Sequence, residues 1–145
     1  MTVADILADP GFAWDRRPPA AREVWEAFDG GLPPAAPAAY REFMRLCDGG
    51  SGDIPHASGF LWLWPAETAA SLHVGYGFPE WLPGFLGFGS DGAGLLFCFD
   101  LRGHAEAAVC TVEATGMDAA DVRVEAPGFL PLLRETLGWD RRTRR

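Results

Sequence analysis

Apolar residues recur along this chain at helical spacing, at strand spacing and in short unbroken runs, and each pattern predicts an element. Ala21, Val24, Trp25 and Phe28 stand at i, i+3, i+4 and i+7, the signature of one helix face. Arg16-Arg17-Pro18-Pro19 leads into that helix and Asp29-Gly30-Gly31 ends it. Tyr40, Phe43, Met44 and Cys47 repeat the spacing, with Arg41, Glu42 and Arg45 on the opposite face. Ahead of both, Thr2-x-x-Asp5 before Ile6-Leu7 resembles a capping box for a short first helix, which Asp9-Pro10-Gly11 stops.

From residue 59 to 64 the period changes to two. Phe60, Trp62 and Trp64 would lie on one face of a strand and Leu61 and Leu63 on the other. Both faces are apolar, so both are expected to be covered. Residues 48–53 read as a glycine-rich loop, 65–73 as a short helix, and 75–83 as a turn-rich loop carrying Phe78 and Trp81. Strands are predicted near 85–88, 95–101 and 107–113, with a short one at 122–125. A last helix covers about 128–137, where Pro131 is tolerable because it falls in the first turn. Helices thus bracket a run of short strands joined by turns. That order predicts an α+β fold with a largely antiparallel sheet of about four to six strands, flanked by N-terminal and C-terminal helices. One domain is expected over residues 1–140, with its core in about 22–139 and a frayed basic tail at 141–145.

Gly87, Gly89 and Gly92 satisfy the spacing G-x-G-x-x-G. In a dinucleotide site those glycines lead into a helix, whose N-terminus binds the pyrophosphate. Here they lead into Leu95-Leu96-Phe97-Cys98-Phe99, a buried-strand pattern. The stretch is therefore a tight strand-to-strand turn in which glycine supplies positive φ and Asp91 bonds its own backbone. A kinase-type glycine loop would need a lysine on a following strand, and the chain has no lysine.

The 145 residues are enough to bury roughly 70% of the surface the unfolded chain exposes, and the 48% apolar content supports a packed core. No apolar run approaches the roughly 18 residues of a membrane span. The start of the chain lacks the basic and apolar regions of a signal peptide, so a cytoplasmic protein is expected. Asparagine and glutamine are absent along with lysine, which excludes Schiff-base chemistry and a Cys-His-Asn triad. Net charge is −8; with +4 on Arg141, Arg142, Arg144 and Arg145, the remainder carries −12. A body this acidic repels phosphate backbones and attracts basic partners.

Candidate chemistry is sparse. His56, His73 and His104 share no metal-ligand spacing. His104-Ala105-Glu106 matches half of a zinc-deaminase signature, but only Cys110 follows, without the Pro-Cys-x-x-Cys half, and His104 reads as a turn residue. Cys47, Cys98 and Cys110 read as small buried hydrophobes in a reducing compartment. Ser58, Ser71 and Ser90 sit in no G-x-S-x-G elbow. A carboxylate pair could be drawn from Asp48, Asp53, Asp91 and Asp100, or these are solvated turn acids. Six tryptophans exceed what one small core needs. Trp81, in a proline-punctuated loop beside Glu80, is the best candidate for an exposed binding aromatic, against a role plugging one end of the core.

Taken in order, several pieces resemble the Smi/Knr-type domain of the SUKH superfamily. They are Leu32-Pro33-Pro34, Ala39-Tyr40-Arg41-Glu42-Phe43-Met44, Cys47-Asp48-Gly49-Gly50, the turn from Phe88 to Gly94 with its apolar strand, and the Phe129-led closing helix. The resemblance spans about residues 22–139. It departs in Asp48, where asparagine is usual, and in the added Ala35-Ala36-Pro37-Ala38. The resemblance implies an α+β fold and a non-catalytic binding protein. Members are commonly immunity proteins that neutralise a toxin encoded beside them, and fungal relatives are interaction modules in cell-wall regulation. The implied partner is a toxin protein with a basic surface, not nucleic acid or membrane, met by a monomer or weak dimer. Cofactor and metal are not implied. Asp48, Asp53 and Asp91 in the glycine-rich turns and Glu80 in the proline-rich loop would steer the partner, and the aromatic Trp81 beside Glu80 would supply affinity. A regulatory scaffold and, from another class, a small hydrolase using acids or a cysteine are the alternatives.

Overall fold

Along residues 1–103 and 106–139, which the computed structural model describes, three helices precede the first strand: α1 (Val3–Ala8), α2 (Arg22–Gly31) and α3 (Ala38–Leu46). Then come β1 (Gly50–Asp53), β2 (Phe60–Leu63), α4 (Ala66–Gly75), the single turn α5 (Phe78–Trp81), β3 (Phe85–Ser90), β4 (Leu95–Asp100) and β5 (Val109–Glu113). A 3-10 turn (Ala119–Asp121), β6 (Arg123–Ala126) and α6 (Phe129–Thr136) complete the order. The six strands form one antiparallel sheet in the order β1-β2-β3-β4-β5-β6, so each strand pairs with its neighbour in sequence. The α+β class is as the patterning predicts. The turn at His104 and the tail 141–145 lie outside the described residues.

The helix starts and faces follow from sequence. Thr2 and Asp5 form the reciprocal capping box of α1: the Asp5 amide donates to Thr2 Oγ1 at 3.2 Å and the Thr2 amide to Asp5 Oδ2 at 2.8 Å. On α3, Tyr40, Phe43 and Met44 are buried as one face, with Cys47 just beyond. That face meets the sheet and α6 in an aromatic cluster. Phe129 of α6 packs its ring against Tyr40 at 5.7 Å, Phe43 at 5.6 Å, Phe88 at 6.0 Å and Phe99 at 5.8 Å. Phe88 and Phe99 stack across β3 and β4 at 4.1 Å. The predicted hairpin between these strands is present, with Gly92 at φ +77° and Gly94 at φ +104°.

Three local expectations need correction. The glycine-rich segment after Asp48 is not a loop: Gly50–Asp53 is an edge strand, paired with β2 and bridged on its outer side by Asp15 to Ser51. Glycine usually weakens a strand. Here it leaves room for Trp14, whose indole a Cβ on Gly52 would meet at 2.7 Å, and whose Nε1 donates to the Gly49 carbonyl at 3.1 Å. The segment around Phe78 and Trp81 contains a helical turn, α5, rather than only loop. Finally, the two faces of β2 are not equally covered. Leu61 and Leu63 are buried, but Trp62 is 39% exposed.

The register of β3 shifts between Gly87 and Gly89. There the Gly87 amide donates to His73 Nδ1 at 3.0 Å, and the His73 ring stacks on Phe78 at 5.2 Å. Burial pulls the His73 pKa below its ordinary value. Protonation would also place a hydrogen on the nitrogen that accepts from Gly87. Because the native pKa is depressed, this contribution to stability is complete above about pH 6.5 and is lost as pH falls from there through the lowered native value. Urea unfolding at a series of pH values should show the wild type losing more stability than His73→Gln between about pH 6.5 and 5. Equal slopes would remove His73 as the cause.

Candidate protein-binding cleft

The five residues singled out from sequence do not form one surface. Asp48 is only 7% exposed, and its carboxylate is turned inward. Its Oδ1 accepts from the Ala66 amide at 2.7 Å, and its Oδ2 lies 3.8 Å from the Arg17 guanidinium. The N-cap of α4 is Pro65, whose side chain offers no acceptor, so Asp48 supplies from another element the anion that the helix start favours. Asp48 is therefore not the solvated turn acid its glycine neighbours suggest. Asp53 is exposed at the end of β1, and Glu80 and Trp81 are exposed on α5, Trp81 to 59%. Asp91 lies at the β3–β4 turn. The six residues of β3, roughly 17 Å of strand, separate it from the α5 end.

Asp91 bonds its own backbone as expected. Its Oδ1 accepts from the amides of Ala93 at 2.8 Å and Leu95 at 3.0 Å. Partial burial works against the charge, but those amides and the Ser58 hydroxyl hold the carboxyl below its ordinary pKa. Asp91 is thus a fixed anion, and it sits on the wall of an open cleft of about 820 Å³.

The register explains how the cleft forms. Leu95 on β4 pairs with Glu113 on β5, and Thr111 on β5 pairs with Arg123 on β6. Paired residues point to the same side of a sheet. The β1–β2 connection contributes Ala57 and Ser58, and the β5–β6 connection contributes Asp121. Four carboxylates, Asp91, Glu113, Asp121 and Glu125, therefore line the cleft against one guanidinium, Arg123. Glu113, Asp121 and Arg123 are exposed, and Asp91 and Glu125 are half-buried.

Glu125 is tied to the wall. It accepts from the Thr111 hydroxyl at 2.9 Å and from the Ala57 amide at 3.2 Å. Ala57 holds φ +50°, an uncommon value for a residue with a Cβ. Beside it His56 pairs through Nε2 with Glu135 of α6 at 2.7 Å, with its Nδ1 3.8 Å from Glu125. These contacts fasten the β1–β2 connection to β6 and α6. Ser90, next to Asp91 in sequence, is buried within β3. The serine that reaches Asp91 is Ser58.

Glu113, Asp121 and Glu125 were not singled out from sequence. The usable signal was the pair Thr111 and Glu113 at alternate positions after an apolar start, which puts polar groups on one side at the end of β5, although only Glu113 is exposed. Arg123 and Glu125 repeat it on β6.

The chemistry available is electrostatic rather than nucleophilic at sulfur. All three cysteines are buried, as expected. Burial pushes the Cys110 thiol up to about 11 and raises the Cys47 and Cys98 thiols as well, which holds them as thiols. No helix among the described residues is long and apolar enough to cross a membrane.

Comparison with known proteins matches residues 19–135 to the model of the SMI1 / KNR4 family (SUKH-1). A search of curated proteins finds no match.

Proposed function

The chain therefore belongs to the SMI1 / KNR4 family (SUKH-1), and on that premise we propose that it is a non-catalytic protein-binding domain, an immunity protein that neutralises a toxin by binding and occluding it. One observation supports this choice of partner above the others. An open cleft of about 820 Å³ carries four carboxylates to one guanidinium, on a chain of net charge −8. Toxins directed at nucleic acids present basic surfaces. A cleft of this sign attracts such a surface and speeds encounter, while it repels a phosphate backbone. Asp91 and Glu125 are held in place by hydrogen bonds, so their charges are oriented before the partner arrives. Pre-ordering of this kind lowers the cost of association.

The test is capture followed by rescue. The tagged protein is pulled down from its native host at low and moderate salt, and a near-stoichiometric basic toxin domain from the adjacent reading frame is expected. Co-expression with that toxin should then restore growth. Recovery of host regulatory proteins alone, with no relief of toxicity, would replace the immunity role with a scaffold.

Trp81 is the exposed aromatic most open to a partner, at 59%. Trp81→Ala is expected to weaken the captured complex by more than about 1 kcal/mol by titration calorimetry. Its unfolding stability should stay within about 0.5 kcal/mol of wild type, as at other exposed positions. Unchanged affinity in the folded variant would take Trp81 out of the interface.

A further inference from the structure

A second concavity lies away from the acidic cleft, between α2, α4 and the first half of β3, and its chemistry is different. It measures about 260 Å³, and Phe28, Leu32, Ala69 and Leu86 supply apolar walls. Two polar side chains, Tyr40 and His73, also line it.

Tyr40 is 1% exposed, in ring contact with Phe28, Phe88, Phe99 and Phe129. Its hydroxyl makes no hydrogen bond to a described residue, and burial alone pushes its pKa up. Nor is it one of the polar side-chain atoms sealed off without a partner among the described residues, which are Trp25 Nε1 and Trp64 Nε1. The hydroxyl therefore opens onto the cavity that Tyr40 lines. A hydroxyl that opens onto the cavity is free to donate to an occupant's acceptor in place of water. Burial of His73 favours its neutral form. Its Nδ1 accepts from the Gly87 amide, so the neutral ring carries its proton on Nε2.

Size and charge narrow the occupant. An apolar cavity of about 150 Å³ holds a benzene ring, and sites for drug-sized ligands begin at about 300 Å³. The volume here lies between, which suits one ring with a short substituent. None of the lining residues carries a charge when His73 is neutral, so the cavity offers nothing to balance an ion. We propose that this cavity is a binding site for a small, uncharged, single-ring molecule bearing one hydrogen-bond acceptor, which takes the hydrogen bond from the Tyr40 hydroxyl. The site stands independently of the immunity role, because none of its lining residues belongs to the acidic cleft.

Acetophenone, with a carbonyl acceptor, and ethylbenzene, of similar shape without one, are the probes. Each is titrated into the ¹⁵N-labelled full chain and followed by amide chemical shifts. Acetophenone is expected to give saturable shifts centred on α2, α4 and the Gly87 amide, and to bind about five-fold or more tightly than ethylbenzene. Tyr40→Phe should bring the two probes to equal affinity. Ala70→Phe, at an exposed lining position, should abolish binding of both without touching the core. Shifts that do not saturate, that scatter over the surface, or that persist in Ala70→Phe would overturn the site. Equal affinities of the two probes in wild type would overturn the assigned role of Tyr40.

Discussion

Reversing Glu113 and Asp121 to arginine is expected to slow association with a basic toxin by about 10- to 100-fold at low salt, while the dissociation rate changes little. These two are the right pair because both are exposed on the cleft. Asp91 and Glu125 hold local backbone, so reversing them would disturb the turn and the β1–β2 connection as well as the charge. The effect should fade as salt rises, since charges at a surface are screened beyond about 8 Å at physiological ionic strength. Stopped-flow association at several salt concentrations reads this directly. The double variant should show a flatter salt dependence, with stability within about 0.5 kcal/mol of wild type for each change. Identical association rates at low salt would move the interface off the cleft.

Phe129→Ala should be the most damaging single truncation of a side chain in the core, costing about 3–5 kcal/mol. The reason is its position. Its ring touches Tyr40 and Phe43 of α3, Phe88 of β3 and Phe99 of β4, so one side chain joins α6, α3 and the sheet. The site cannot collapse to fill the gap, because its neighbours are rigid aromatics held by one another. At roughly 2–4 °C per kcal/mol for a chain of this size, the melting temperature should fall by about 10 °C. Thermal unfolding by calorimetry checks it. A loss below about 1.5 kcal/mol would mean that the cluster repacks around the missing ring.

The helices other than α5, the β3–β4 hairpin and the family were legible in the sequence because each rests on local rules. Helical spacing gave the buried face of α3, glycine with an Asx bond gave the turn at Asp91, and the order of motifs gave a resemblance that residues 19–135 confirm. What escaped depends on contacts between distant segments. β1 reads as loop until Trp14, far back in the chain, is laid across its glycines. Asp48 reads as a solvated acid until α4 is found to begin with a proline that offers no cap. The cleft acids come from a hairpin turn, two strands and a 3-10 turn, and only the sheet register brings them to one wall. The prolines around Trp81 made it the best candidate for exposure, against a role plugging the core, and it is exposed; the exposure of Trp62 depends on what the rest of the fold leaves uncovered.

The meander has a kinetic consequence. Every strand pairs with its neighbour in sequence, although the β2–β3 connection, residues 64–84, carries α4 and α5. Hairpins can therefore form in succession as chain becomes available. The aromatic cluster cannot, because Phe129 follows all six strands. Until α6 docks, Tyr40, Phe88 and Phe99 can touch one another, but the cluster lacks its last ring, the one that joins Phe43 to it. Completion of the core is thus expected to wait for the C-terminal helix, so that release of nascent chain before residue 129 leaves the cluster without its last ring.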